Sequence, residues 1–246
     1  MSIFRRIFNF EKAKVEQLEK RLNQRYAIGG AFPLHAVLRH GGRDYSTKII
    51  DMSSNGVGLE ASPGLAISAG LHLRLVLELE QHRLDIEARV AHQKERDESP
   101  YLGLSLQFPE FDLQKSYLQL LQPVVIGQSL RPMPPEGVIQ DDPRLIKQGY
   151  MGESDSQLIV RVDPARGMAL HSFDFRMQNY FCRGGPQSNQ PEAGAIDSSE
   201  ATATNPVFET SGGLRDEVHQ LYRWVVPNIS NAVPQNIRVF LARFAG

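Results

Sequence analysis

IIDMSSNGVGLE, residues 49–60, sets a short polar cluster between two apolar runs. The members of the cluster are Asp51, Ser53, Ser54, Asn55 and Gly56. Asp and Ser side chains hydrogen-bond nearby backbone amides, and glycine adopts backbone angles that are closed to other residues. These residue types predict a turn between two strands. They also suit one half of a binding site, and the cluster by itself does not decide between the two.

The chain on both sides of this turn, from about 32 to 108, alternates apolar and polar residues as antiparallel strands do. In LHLRLVLELE, residues 71–80, the leucines at every second position share one face. The pair Gly41-Gly42 marks a hairpin. About six short strands separated by turn residues predict a small antiparallel barrel. A helix that begins near Asp112 follows the strands, and it could plug one end of the barrel.

The remaining chain divides into segments of different composition. Residues 1–19 are predicted to form an N-terminal helix, whose apolar stripe suits packing on a domain face or contact with a second copy, so a homodimer is an open possibility. The barrel domain is assigned to 20–122, and the stretch 123–143, rich in proline and glycine, predicts a linker. Alternating and helical patterns in 144–246 predict an α+β region. Within it, 184–206 has few apolar residues and predicts a mobile loop.

Composition excludes several classes of function. The chain has 246 residues with a net charge of -1, so no overall positive field attracts nucleic acid, and neither DNA nor RNA is an expected partner. Its one cysteine, Cys182, excludes an internal disulfide framework and a site of several cysteines for a metal. No apolar run approaches the ~20 residues that a transmembrane helix needs. A reducing cytoplasm is the simplest location for such a chain.

A second polar element lies upstream of the turn. In RLNQR, Arg21 and Arg25 are four residues apart, directly before the predicted strands. Arginine forks bond phosphate oxygens or the O6/N7 edge of guanine in pairs. A carboxylate such as Asp51 can accept hydrogen bonds from the N1–H and the N2 amino group of guanine. The two elements together suit a ligand that contains both guanine and phosphate.

The order RxxxR, then DxSxxG, on a small β-barrel resembles the PilZ domain family over residues 20–122. The later strands fit the resemblance, since Gly103 and Phe108 in YLGLSLQF look like the glycine and aromatic residue of the family's penultimate strand. PilZ domains are receptors for the bacterial second messenger cyclic di-GMP. The resemblance therefore implies a bacterial cyclic di-GMP receptor that changes its domain arrangement or its partner on binding, with no other cofactor.

The resemblance also assigns roles to five residues. Arg21 and Arg25 would grip phosphate and the Hoogsteen edge of guanine, on a segment that folds over the ligand. Asp51 would read the Watson–Crick edge of guanine. Ser53 would bond a phosphate or a guanine, and Gly56 would let the backbone approach closely. Some members of the family bind one ligand and others a stacked pair, and the sequence does not distinguish these cases.

The sequence also has to be compared with two other classes of function, an enzyme and a protein-binding adaptor. A nucleophile–base group of Cys182, His171 and His219 would make the chain an enzyme. However, His171 lies on a predicted strand, His219 lies on a polar helix face, and a loop follows Cys182. Incidental structural roles are therefore favoured, and no catalytic residue is expected. The histidines show no metal-ligand spacing. The alternative to a receptor is a PilZ-like adaptor that binds only protein. A protein partner is expected at residues 144–246, where no recognised motif identifies it.

Overall fold

The computed structural model describes residues 15, 24–61, 65, 67–96, 99–186, 190–202, 205–209 and 212–246. The chain divides into two compact units, Met1–Gln122 and Pro123–Gly246. Of the predicted N-terminal helix, only Val15 lies among the described residues, and it is helical and buried. Within the described part of the chain, no helix is long and apolar enough to cross a membrane.

The first unit is a closed antiparallel barrel. Its strands are β1 (Tyr26–Ala27), β2 (Leu34–His40), β3 (Arg43–Ser53), β4 (Gly56–Glu60), β5 (His72–Leu79), β6 (His82–Arg96) and β7 (Ser99–Gln107). Neighbouring strands follow the order β3-β2-β5-β6-β7-β4, and β4 pairs again with β3, so six strands form a ring. The two-residue β1 pairs with β3 outside the ring. The predicted six-stranded PilZ-like barrel is confirmed.

The sequence pattern explains this ring. In β5 the leucines at 73, 75, 77 and 79 are buried, whereas His72 and Arg74 are exposed. The hairpin between β2 and β3 turns at Gly41 and Gly42, both of which have positive φ angles, as a two-residue turn of type I′ requires. Closure of the ring leaves none of its six strands with a free edge.

A helix follows the barrel strands. It is α1 (Phe111–Gln128), with Asp112 in its first turn, one residue from the predicted start. Its residues Tyr117, Leu118 and Leu121 are fully buried. The ring of Tyr117 lies 5.2 Å from that of Phe108, just after β7, so this part of the helix packs on the barrel strands.

The second unit is built on one open sheet with helices. Its strands are β8 (Arg131–Pro132), β9 (Ile146–Met151), β10 (Gln157–Asp163), β11 (Ala169–Met177), β12 (Tyr180–Gly184), β13 (Glu192–Thr202) and β14 (Asn205–Glu209). They lie side by side in chain order, and two helices follow, α2 (Gly212–Val225) and α3 (Gln235–Ala242). The predicted α+β region is confirmed. Phe173, Phe175 and Met177, at alternate positions of β11, are buried, and so is Trp224.

Two segment predictions differ from the structure. Residues 123–128 are not linker but the last turns of α1, where Val124, Val125 and Ile126 are fully buried. Proline-rich composition misled the prediction, because packing of this apolar run outweighs the presence of Pro123 inside the helix. Most of the predicted mobile loop at 184–206 forms strands β13 and β14, since backbone hydrogen bonds can build a ladder in a segment with few apolar side chains. Residues 187–189, 203 and 204 lie outside the described residues.

Candidate functional site

The hairpin between β3 and β4 forms the centre of the site. Ser53 pairs with Gly56, and Ser54 and Asn55 make the turn. The carbonyl of Asn55 accepts a hydrogen bond of 2.9 Å from the Leu106 amide at the end of β7, which ties the turn to the neighbouring strand. Ser53 and Ser54 are buried. The predicted turn between two strands is therefore present, and it is part of the barrel wall.

Strand β1 brings an arginine to this hairpin. Tyr26 pairs with Met52 and Ala27 with Asp51, so Arg25 lies beside the end of β3. A nitrogen of its guanidinium group donates a short hydrogen bond to the Asp51 carboxylate. The Arg25 side chain is 40% exposed and that of Asp51 19% exposed. Partial burial lowers the pKa of Arg25, but the hydrogen bond and charge of Asp51 outweigh it and raise the pKa above its usual value.

Tyr101 completes this group, although it was not among the site residues predicted from the sequence. Its hydroxyl donates to the Asp51 carboxylate at 3.2 Å and accepts from the Arg25 guanidinium at 3.4 Å. Tyr101 lies in β7, 50 residues after Asp51 in the chain. Ring closure makes the contact possible, because β4 pairs with both β3 and β7.

A glycine row, formed by Gly58 and Gly103 on adjacent strands, lies next to this group. Asp51 pairs with Gly58, Gly58 with Gly103, and Gly103 with His92, on four adjacent strands. A Cβ atom added at Gly58 would lie 2.3 Å from the Tyr101 hydroxyl, and one at Gly103 would lie 2.2 Å from the His92 ring. The two rings stack with centroids 5.8 Å apart. The glycines thus give the space that Tyr101 and His92 occupy on the barrel surface.

Gly56 is required for space and not for backbone angles. Two reasons for Gly56 were expected, backbone angles closed to other residues and close approach of the backbone, and the first does not apply because Gly56 is not among the glycines with positive φ. A Cβ at this position would lie 3.0 Å from the Leu104 carbonyl oxygen, 3.3 Å from the Ser53 hydroxyl and 3.4 Å from the Arg25 guanidinium. The Arg25 and Ser53 side chains therefore surround one point next to the Gly56 backbone.

A buried tyrosine of α1 fixes the hairpin from behind. The Tyr117 hydroxyl donates to the Ser53 carbonyl at 2.7 Å and lies 3.3 Å from the Gly56 carbonyl. Burial raises the pKa of Tyr117 far above its usual value, so the phenol stays protonated and remains a donor. The Ser53 hydroxyl itself points to the Asn55 side chain, at 3.3 Å. In this structure the hydroxyl is therefore engaged within the turn.

The structure brings four of the five predicted site residues together. Arg25, Asp51, Ser53 and Gly56 lie around the end of one hairpin, as described above. Arg21 lies outside the described residues. Tyr101 carried one signal in the sequence, its position two residues before Gly103 in a predicted strand, whereas the adjacency of His92 to Gly103 appears only in the folded barrel.

The residues weighed for an enzyme have structural surroundings. Cys182 is buried in the centre of β12, and its pKa is raised above the usual range by burial and, less, by the charge of Asp174. A ring nitrogen of His219 lies 2.8 Å from the Pro191 carbonyl oxygen.

Comparison with known proteins places the barrel in a family. The model of the PilZ domain family matches residues 19–123. No curated protein matches the chain. Among solved structures, the chain is similar to the PilZ domain with c-di-GMP of YcgR from Escherichia coli, at 12% identity over 39% of this chain and 85% of that chain, with a TM-score of 0.35.

Two further solved structures are similar at the same level. The K. pneumonia MrkH–c-di-GMP complex has 21% identity over 42% of this chain and 50% of that chain, with a TM-score of 0.38. The PlzA protein of Borreliella burgdorferi in complex with c-di-GMP has 11% identity over 85% of this chain and 98% of that chain, with a TM-score of 0.34. The family match shows that the hairpin with Asp51 and the adjoining Arg25 belong to a PilZ domain, which this chain carries over residues 19–123.

Proposed function

We propose that the barrel is a receptor for cyclic di-GMP in a cytoplasmic bacterial signalling protein that is not an enzyme. The ligand would lie against the hairpin of β3 and β4 and contact Arg21, Arg25, Asp51, Ser53 and Gly56. The observation that supports this proposal best is the bond between the Arg25 guanidinium and the Asp51 carboxylate next to Gly56, inside a PilZ domain.

The chemistry of these groups matches the two parts of the ligand. The two oxygens of Asp51 can accept the N1–H and the N2 amino group of one guanine. The fork of Arg25 can donate to a phosphate or to the O6/N7 edge of guanine. Asp51 and Arg25 now bond each other, so binding requires them to exchange partners. The cost is small, since a partly exposed ion pair contributes only about 0–1 kcal/mol.

The aromatic pair next to Asp51 adds a surface for the base. Tyr101 and His92 are half-buried and stack on each other over Gly58 and Gly103. Stacking on an aromatic side chain contributes about 1–3 kcal/mol per base in nucleic-acid complexes. Loss of the Tyr101 ring, in Tyr101→Ala, is therefore expected to weaken binding of cyclic di-GMP about tenfold.

The proposed output is a change in the arrangement of the two units or in the binding of a protein partner. Binding would draw the segment that carries Arg21 and Arg25 onto the ligand, and this change would pass to the rest of the chain. Small-angle X-ray scattering of the chain with and without cyclic di-GMP would measure the change. Identical scattering curves at saturating ligand would contradict a change in arrangement and leave partner binding as the output.

A PilZ-like adaptor that binds only protein is the second candidate. It is favoured by one observation, that Arg25, Asp51 and Tyr101 already satisfy each other without a ligand. A thermal-shift titration with cyclic di-GMP separates the two. A receptor gains stability with the logarithm of free ligand above its dissociation constant, about 2.7 kcal/mol at a hundredfold excess. An unchanged melting temperature at millimolar ligand would favour the adaptor.

A further inference from the structure

A cavity of about 700 Å³ lies in the second unit, near the connection between β12 and β13. Strands β10 to β13 and the first turn of α2 contribute to its wall. Its polar lining includes Arg161, His171, Asp174, Arg183, Glu192 and Arg215. Small-molecule sites in proteins have volumes of about 300–1,000 Å³, so the cavity is large enough for a metabolite.

The register of the sheet places four of these side chains on one face. Asp174 pairs with Arg183, and Arg183 pairs with Glu192. Arg161 pairs with Ser172, which is two residues before Asp174 and therefore on the same face. The neighbouring positions Val160, Phe173 and Cys182 point to the other face and are buried, and Phe173 also borders the cavity. Four of the charged lining residues thus lie on one face of the sheet, and Arg215 is contributed by α2.

The positive groups of this lining exceed the negative ones. Three arginines face two carboxylates, those of Asp174 and Glu192. Within the described part of the chain, the side chains of Arg161 and Arg215 make no hydrogen bond or ion pair, whereas Arg183 lies 3.9 Å from Glu192 and 4.6 Å from the ring centroid of Phe181. Arg161 does act at longer range on the Asp141 carboxyl, whose pKa is lowered mainly by its hydrogen bond with Lys147. Two guanidinium groups are therefore available to an incoming anion.

An apolar compartment adjoins the charged one. A second cavity, of about 350 Å³, shares His171, Gly185 and Pro186 with the first. Its other lining residues are Leu170, Phe240, Arg243 and Phe244. The buried Nδ1 atom of His171, at the junction, has no hydrogen-bond partner among the described residues. Buried polar atoms in proteins usually have a partner, so this nitrogen is a further candidate contact for a ligand.

We propose that this double cavity binds a small organic anion that carries a phosphate or carboxylate group on an apolar portion. Arg161 and Arg215 both line the larger cavity, and their guanidinium forks can donate to the oxygens of the anion. The apolar portion lies along Leu170, Phe240 and Phe244. This site belongs to the second unit alone, and it does not depend on the cyclic di-GMP site proposed for the barrel.

Calorimetric titration of the full chain with three probes tests the class of ligand. The probes are 1-naphthyl phosphate, 1-naphthoate and uncharged 1-naphthol. At least one of the two anions is expected to bind saturably, with at least tenfold higher affinity than naphthol, and the tighter anion identifies phosphate or carboxylate as the preferred group. Absence of saturable binding of both anions, or naphthol binding as tight as theirs, would overturn the proposal.

Substitutions then locate the binding. Arg161→Ala and Arg215→Ala are each expected to weaken binding of the preferred anion about tenfold or more, because a hydrogen bond to a charged group is lost. Arg176→Ala is the matched control, since Arg176 lies on the same sheet face outside the cavity lining and its guanidinium bonds the Gln178 carbonyl. Circular dichroism would verify that each variant is folded. Wild-type affinity in both Arg161→Ala and Arg215→Ala would refute the site.

Discussion

The two units of this chain arrange seven strands each in opposite ways. In the barrel unit a six-stranded ring closes, so β7 lies beside the hairpin of β3 and β4, and Tyr101 contacts Asp51, 50 residues earlier in the chain. In the second unit the strands follow chain order in an open sheet. Closure brings Arg25, Asp51 and Tyr101 into one hydrogen-bonded group, whereas the second unit places Arg161 on β10 and Arg215 on α2, where neither side chain forms an ion pair within the described residues. The charged groups of the first site are therefore paired with each other, and two of those in the second site are not.

The cores of the two units differ as well. The barrel interior is mainly aliphatic, whereas the second core contains more aromatic rings. Phe173 lies 5.6 Å from the ring of Tyr222, 6.2 Å from that of Phe240 and 5.1 Å from that of Phe244. Gly184 is part of this packing, because an added Cβ would lie 2.6 Å from the Phe173 ring. A single phenylalanine therefore supports much of the second core.

Phe173→Ala is the substitution from which we expect the largest loss of stability. Removal of a buried phenylalanine costs about 3–5 kcal/mol of unfolding free energy. Urea denaturation followed by the fluorescence of Trp224, the one tryptophan and part of the second unit, would measure it. Cyclic di-GMP binding by the barrel is expected to persist below this transition. A loss under 1 kcal/mol, or simultaneous loss of ligand binding, would contradict the independence of the two cores.

Tyr117→Phe should cause the next largest loss of stability. Together with Tyr222→Phe, it compares one buried hydroxyl in each unit. Tyr117 donates to the Ser53 carbonyl and lies close to that of Gly56, so its removal leaves buried carbonyls of the hairpin with fewer partners, at a cost of about 1–3 kcal/mol. Tyr222→Phe is the matched variant, because the Tyr222 hydroxyl donates only to the Leu241 carbonyl, at 2.9 Å. Thermal melts of both variants would show the larger shift for Tyr117→Phe. An equal or smaller shift would argue against its support of the hairpin.

Gly58→Ala tests the glycine row with a smaller change. The added methyl group would lie 2.3 Å from the Tyr101 hydroxyl and 2.7 Å from an Asp51 oxygen, so both side chains must move. We expect cyclic di-GMP affinity to fall about tenfold, which corresponds to about 1.4 kcal/mol. Gly137→Ala in the second unit is the control, since its nearest contact would be an ordinary 3.7 Å. Equal affinities in the two variants would show that the row does not position the site.

The sequence predicted the parts of this molecule that depend on local pattern. Alternation in 71–80 identified the barrel, and the turn residues around Asp51 identified the hairpin. It did not predict Tyr101, because that contact requires the register of β4 against β7. It also misassigned 123–128 and 184–206, where proline or a lack of apolar residues was taken as a sign of irregular chain. In both segments tertiary packing or strand pairing decided the structure instead.

The central claim is that Arg25 contributes directly to nucleotide binding. Isothermal calorimetry with cyclic di-GMP would compare Arg25→Ala with Arg39→Ala, a barrel arginine that pairs with Asp44 away from the hairpin. We expect saturable binding by the wild type and by Arg39→Ala, and no measurable binding by a folded Arg25→Ala variant. Wild-type affinity in Arg25→Ala would contradict the claim.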